Sequence, residues 1–198
     1  MSVYLRQIEL CSKYGVHIAI IHPTNGNPNA TVLEPNLYGV SEFNRLVEFA
    51  KGKNVKIALE NLDNGSLSHF KYLLDNIHSD YLGFCYDVGH HNLYNKNIDI
   101  LSQYADRLLA VHLHDNLGDY EYGDDYTRDL HLLPFDGNVN YEKITKKLKT
   151  VKYNNTVMLE IHKTPIADVG KYKEMSNDEY LQKAKSIAIK LKNMIFEE

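Results

Sequence analysis

Four short apolar runs in this 198-residue chain each end on a residue that can hold a metal, and they recur about one strand-plus-helix unit apart. They lie at 55–60 (VKIALE), 82–87 (LGFCYD), 108–112 (LLAVH) and 156–160 (TVMLE). Carboxylates and an imidazole at the C-terminal ends of successive parallel strands are what a catalytic metal site on a (β/α) barrel requires.

The rest of the chain supplies the alternation such a fold needs. Tyr4, Leu5, Ile8 and Cys11 predict a helix from almost the first residue, and a strand over 16–22 ends at Pro23. Residues 24–38, rich in Asn, Pro and Gly, read as a long loop. Ser41 reads as the N-cap of a helix with the stripe Phe43, Leu46, Val47 and Ala50, closed by Gly52. Strand 55–60 leads to a helix carrying Leu67, Phe70, Leu74 and Ile77, and strand 82–87 to a short helix around 98–104. Strand 108–113 is followed by a polar loop and a helix opened by Asn140, with Tyr141, Ile144 and Leu148 on one face. Strand 156–161 precedes a last helix with a Ser176/Glu179 capping box and the stripe Tyr180, Ala184, Ile187, Leu191 and Ile195.

Five alternations of strand and helix predict an α/β fold with a parallel sheet. A closed eight-stranded barrel takes roughly 250 residues. The expectation is therefore one domain over 1–198, a TIM-type (β/α) barrel reduced from its N-terminal side to about five of eight βα units. Strands 16–22 and 156–161 would then be open edges that need cover, from a second copy or from a complementing chain. Side-chain parity agrees with this picture. Glu60 shares a face with Ala58, Asp87 with Cys85 and Gly83, and His112 with Ala110, leaving the bulky residues for the opposite face. Glu160 fits less well, because it shares its face with Met158 and Thr156.

Bulk properties narrow the function classes. A formal charge of −4 supplies no global basic field to recruit nucleic acid. Cys11 and Cys85 are too few for a disulfide framework, and Cys85 reads as a small buried apolar residue. The apolar run at 18–21 is too short for a signal or a membrane span, so the expected location is cytoplasmic.

Three carboxylates and one histidine suit a divalent cation such as Mn²⁺ or Mg²⁺ better than a structural zinc. Such an ion polarises a carbonyl and stabilises an enediolate while a neighbouring glutamate moves the proton.

Five motifs, IALEN at 57–61, YDVGH at 86–90, VHLHDN at 111–116, DLHLLPFDGNV at 129–139 and VMLEIH at 157–162, occur in this order. Together they resemble the xylose isomerase-like TIM-barrel superfamily, which includes sugar phosphate isomerases and epimerases and the type IV apurinic endonucleases. The resemblance implies that Glu60, Asp87, His112 and Glu160 are metal ligands, with Glu60 and Glu160 also the catalytic acid/base pair. It implies substrate contacts by His22, His90, Asp129 and His131. In the endonuclease branch His22 would bind a second metal, and Asp129 and His131 would make a third metal site with His90.

The wording of YDVGH and HLHDN is closer to the isomerase pattern. The expected activity is therefore metal-dependent isomerisation or epimerisation of a sugar or sugar phosphate, by proton transfer through a metal-stabilised enediolate. Phosphodiester hydrolysis at abasic DNA by a zinc cluster is the second reading, and an inactive barrel fragment the third. Asp115 reads as either an orienting residue or a direct participant, and His17, His69, His78 and His91 as surface or packing residues.

Overall fold

The computed structural model describes residues 2–23, 39–118, 128–164 and 172–197, so the expected loop at 24–38 lies outside the described residues. The chain divides into two compact units. One comprises Met1–Cys85 with Arg107–Ala110, the other Tyr86–Asp106 with Val111–Glu198.

The first unit opens with α1 (Ser2–Lys13) and β1 (Ile18–Ile21). Gly15, at φ +69°, turns the chain out of α1, and Val16 N–H donates to the Cys11 carbonyl at 2.8 Å. Helix α2 (Val40–Gly52) buries Phe43, Leu46, Val47 and Ala50, the expected stripe. Both of its expected ends need correction. Gly39 is the N-cap and makes no side-chain cap bond, so Ser41 already lies inside the first turn. At the other end Asn54, not Gly52, takes the left-handed conformation (φ 55°), while Val55 N–H donates back to the Ala50 carbonyl.

Strand β2 (Lys56–Glu60) follows, then α3 (Asn64–Asn76), capped by the Asp63 carboxylate accepting from Ser66 N–H at 2.7 Å. Strands β1 and β2 are parallel, with Ile18 opposite Lys56. Strand β3 (Leu82–Asp87) is parallel to β2, with Glu60 opposite Cys85. Arg107 completes this unit by donating to three carbonyls, those of Leu74, Ile77 and Leu82. One guanidinium thus satisfies the C-terminal end of α3 and ties it to the start of β3.

Strands β3 and β4 (Leu108–Leu113) each begin in the first unit and end in the second, and the sheet order is β1-β2-β3-β4-β5. In the second unit β3 runs directly into α4 (Val88–His90), a π turn at His91–Asn95 and α5 (Ile100–Gln103). The short helix expected at 98–104 is there, but α4 and the π turn were not expected. The sequence VGHHNLYN contains few strong helix formers and a glycine, so propensity gives no signal there. Helix α6 (Tyr141–Thr150) is capped by Asn140, as expected, and α7 (Asn177–Phe196) by the Ser176/Glu179 box.

Strand β5 (Val157–Leu159) is parallel to β4 and shorter than the expected 156–161. Beyond Leu159 the chain changes partner: Glu160 N–H still donates to Leu113, but His162 N–H donates to the His131 carbonyl. The core of this unit gathers Leu130, Leu132, Leu133, Tyr172, Tyr180 and Ala184.

Successive parallel strands alternating with helices are the architecture of part of a TIM-type barrel. Ile57, Leu59, Leu82, Phe84, Tyr86, Val111 and Leu113 are all buried, as are Ala58 and Cys85 at the positions of opposite parity, while Leu109 is partly buried. Met158 is half exposed, in keeping with the looser fit of the last strand.

A Cβ at Gly83 would run into the Arg107 carbonyl and the Leu109 side chain, whereas one at Gly52 would meet nothing within 4 Å. Gly83→Ala should therefore cost about 1–3 kcal/mol of unfolding free energy. Gly52→Ala, on the last turn of α2, should cost nothing and gain up to about 1 kcal/mol. Urea denaturation of both variants checks the contrast.

Candidate metal centre

The motif YDVGH acquires a physical meaning residue by residue. Asp87 ends β3 fully buried and is the N-cap of α4, its Oδ1 accepting from His90 N–H at 2.6 Å. That short cap fixes the carboxylate before any ligand arrives. Gly89 is required by space, because a Cβ there would collide with the His114 ring. Tyr86 packs its ring against His91 at 5.3 Å, and burial raises its pKa.

Asp87 faces two groups of donors within the second unit. On one side His112 Nδ1 lies 3.8 Å from Asp87 Oδ2 and 2.8 Å from Glu160 Oε2. Glu160 Oε2 is buried and makes no hydrogen bond among the described residues. A carboxylate oxygen and an imidazole nitrogen this close form an ion pair when the histidine is protonated, and both atoms are of the kind that ligates a divalent cation. The expected trio Asp87, His112 and Glu160 is thus brought together, and its donor set fits a divalent ion.

On the other side His90, His114, Asp129 and His131 each offer a ligand atom within 4.8 Å of the others. Asp129 Oδ2 lies 3.1 Å from both His90 Nε2 and His131 Nε2. His114 Nε2 lies 3.1 Å from Asp87 Oδ1 and 3.9 Å from Asp129 Oδ1. The His114 ring stacks on His131 at 4.0 Å, and His131 on His162 at 4.5 Å. His131 is oriented by its Nδ1, which contacts the Glu160 carbonyl at 2.9 Å and leaves Nε2 for Asp129. Glu160 therefore serves the first group with its side chain and the second with its backbone.

Burial works against the Asp129 charge, yet hydrogen bonds from His131 and His90 hold its carboxyl well below the usual range. Burial likewise pulls the His131 imidazolium toward neutrality, but Asp129 outweighs it and raises the pKa to about 9. His162 moves the other way, lowered by burial and by the neighbouring His131 charge.

In the first unit Glu60 ends β2 buried, with its Oε2 3.1 Å from His22 Nε2, while His22 is largely exposed. His69 Nδ1 contacts the Pro23 carbonyl and His91 Nε2 the Ile98 carbonyl, which are packing roles as expected.

Asp115 works as a scaffold. Its carboxylate accepts from the backbone N–H groups of Asn116, Phe135 and Val139, and burial raises its pKa despite them. Gly137 allows that turn to close, because a Cβ there would strike Asp115 and the Asn116 carbonyl. Asn116 Nδ2 donates to the Gly89 carbonyl, and Tyr141 O–H to the His114 carbonyl at 2.7 Å. HLHDN, the DGNV turn and YDVGH are thus one hydrogen-bonded body around the two donor groups. Sequence reasoning left His114 without a role in the second group and did not single out His162. The spacing His112-x-His114, two same-face residues at a strand end, was the available signal for the first.

A family model for the xylose isomerase-like TIM barrel matches residues 2–186. The chain belongs to that family. Among curated relatives, an uncharacterized protein of Sinorhizobium fredii, y4fM, is 34% identical over 148 residues, covering 72% of this chain and 43% of that protein. The chain spans about half the length of the curated relatives it matches. A solved D-tagatose 3-epimerase-like protein is 26% identical with a TM-score of 0.65, over 92% of this chain and 68% of that one. The IOLI protein, solved with a bound zinc atom, has a TM-score of 0.78 at 19% identity, over 100% and 70% of the two chains. Among the described residues no helix of this family member is long and apolar enough to cross a membrane.

The His131–Asp129 pair makes a pH prediction for the metal-free chain. A histidine pKa raised to about 9 from an ordinary 6.5 contributes its full stability below pH 6.5 and loses it as pH rises through about 9. Melting curves in chelator should show Tm falling across that window, and Asp129→Asn should flatten the slope. A wild-type Tm that stays level or climbs there contradicts the pairing.

Proposed function

We propose that this family member holds the metal-dependent proton-transfer site of an isomerase or epimerase acting on a sugar or sugar phosphate. The observation that carries the reading is the convergence of Asp87, His112 and Glu160 at the ends of β3, β4 and β5, with the Glu160 oxygen buried and directed at the imidazole.

Glu60 is the fourth ligand in this proposal. Its Cα partner is Cys85, two residues before Asp87 on β3, so Glu60, Cys85 and Asp87 share a parity and a face. The oxygen-rich set favours Mn²⁺ or Mg²⁺.

A cation held there supplies the electrophile that acidifies a C–H bond beside a sugar carbonyl. Glu60 and Glu160 are the acid/base pair: one takes the proton from carbon and the other returns or relays it. Asp87 and His112 keep the donor set in place, Asp87 through its cap on α4. His22, exposed beside Glu60, contacts substrate oxygens. The similarity to the D-tagatose 3-epimerase-like protein supports the substrate class.

The test is exchange of solvent deuterium into a panel of ketoses, phosphorylated and free, by the full chain with Mn²⁺. Exchange is expected with at least one of them, and Glu160→Gln should reduce it by about 10²–10⁴-fold. Absence of exchange across the panel, together with nicking of an abasic duplex, would replace this reading with phosphodiester hydrolysis.

A further inference from the structure

Past Leu159 the regular strand ends, but the alternation of the chain persists. Glu160 N–H donates to the Leu113 carbonyl and His162 N–H to the His131 carbonyl, so alternate amides still point one way. Leu159 and Ile161 pack on the core around Leu130 and Tyr172, which leaves Glu160 and His162 together on the opposite face. From that face Glu160 reaches His112, while His162 lies over His131. We infer that His162 is a further substrate-contacting residue of the same site, its outer ring face packing on the carbon chain of a ketose well beyond the reacting carbon. The inference rests on the isomerase reading, which supplies the position of that carbon beside Glu160.

Three features of the second unit support the assignment. The first is a column of rings. His114, completely buried, stacks on His131 at 4.0 Å with the planes 12° apart, and His131 stacks on His162 at 4.5 Å and 24°. The column is closed at His114 and ends at an exposed His162, on which no other ring stacks among the described residues. The second is that this exposed ring is held in place. His131 Nδ1 contacts the Glu160 carbonyl at 2.9 Å and the His131 carbonyl accepts from His162 N–H at 2.8 Å, so the backbone on both sides of Ile161 is tied to one residue. A side chain already ordered gives up little rotamer freedom when a ligand packs on it. The third is spacing. Two residues of extended chain separate Glu160 from His162 by roughly 7 Å, the length of several carbon–carbon bonds. A ketose with its reacting carbon at Glu160 therefore meets His162 with its far carbons.

The chemistry of the ring suits that end of a sugar. The face of an aromatic ring carries partial negative charge and accepts the C–H side of a carbon chain, while a ring nitrogen hydrogen-bonds a hydroxyl. Among the described residues the His162 ring nitrogens make no hydrogen bond, whereas both nitrogens of His131 are engaged, one by the Glu160 carbonyl and one by Asp129. A contact remote from the reacting carbon is the same in the ground state and the transition state, so its loss raises KM and leaves kcat. The consequence is selectivity by chain length: His162 favours a ketohexose over a ketose too short to reach it.

The full chain, labelled with ¹³C-histidine and saturated with Mg²⁺, is titrated with the D-ketohexoses, D-tagatose among them, and with dihydroxyacetone while its NMR spectrum is followed. The ring C–H signals of His162, assigned by their loss in His162→Phe, should move with at least one ketohexose and stay still with dihydroxyacetone. In solvent exchange with that ketohexose, His162→Ala should raise KM about 5–30-fold with kcat held. His162→Phe, which keeps a ring face and lacks the nitrogens, should recover part of the loss. Circular dichroism establishes folding, and His162→Phe carries the kinetic test should His162→Ala fail to fold. Signals that ignore every ketohexose while the wild type exchanges one overturn the inference and leave the isomerase reading standing. So does a loss carried in kcat, which would mean that the ring only props His131. Signals that move in a chain exchanging no ketose uphold the contact and overturn the isomerase reading, and silence in both measurements overturns both.

Discussion

The structure depends on one buried carboxylate. Asp87 has no exposed surface, and burying a charged carboxylate costs several kcal/mol unless the surroundings offset it. Here the offset begins locally, with a 2.6 Å bond from His90 N–H at the start of α4, and continues with His114 at 3.1 Å. The same two oxygens then set where everything else can be. Oδ1 serves the His90–His114 side and Oδ2 the His112–Glu160 side. A residue that is a strand end, a helix cap and the centre of two donor groups tolerates little displacement of its neighbours.

Those neighbours are accordingly held by backbone-directed hydrogen bonds. Asp115 gathers three N–H groups of the 116–139 region, Asn116 joins the Gly89 carbonyl, and Tyr141 anchors the His114 carbonyl. Glu160 fixes His131 through its own carbonyl. Much of what resembles a catalytic motif in the sequence is scaffold: in HLHDN only the two histidines offer donor atoms to the groups around Asp87, while the aspartate and asparagine hold the loop that surrounds them.

Most of the architecture was legible because the strand runs are short, apolar and alternate with helical stripes along the chain, and because Asn140 and Ser176 are strong caps. Asp87 and His112 were legible because parity at a strand end places a side chain, whereas Glu160, just past β5 and looser in parity, was legible only from its motif. What escaped was non-local. Helix α4 and its π turn arise from Asp87 capping a segment of weak helix formers. The start of α2 at Val40 follows from Gly39, whose backbone conformation supplies a cap that no side chain advertises. His114 joined the second group only through stacking on His131, a residue in the left-handed region (φ 46°) far along the chain. Periodicity carries no information about contacts of that kind.

The central claim is that Asp87 is the shared edge of a cation site with His112 and Glu160. It is tested most directly by anomalous diffraction from crystals of the chain soaked in Mn²⁺. The account requires a peak about 2.0–2.3 Å from Asp87 Oδ2, His112 Nδ1 and Glu160 Oε2. A map in which manganese binds elsewhere, with those three side chains bonded only to protein groups, would contradict it.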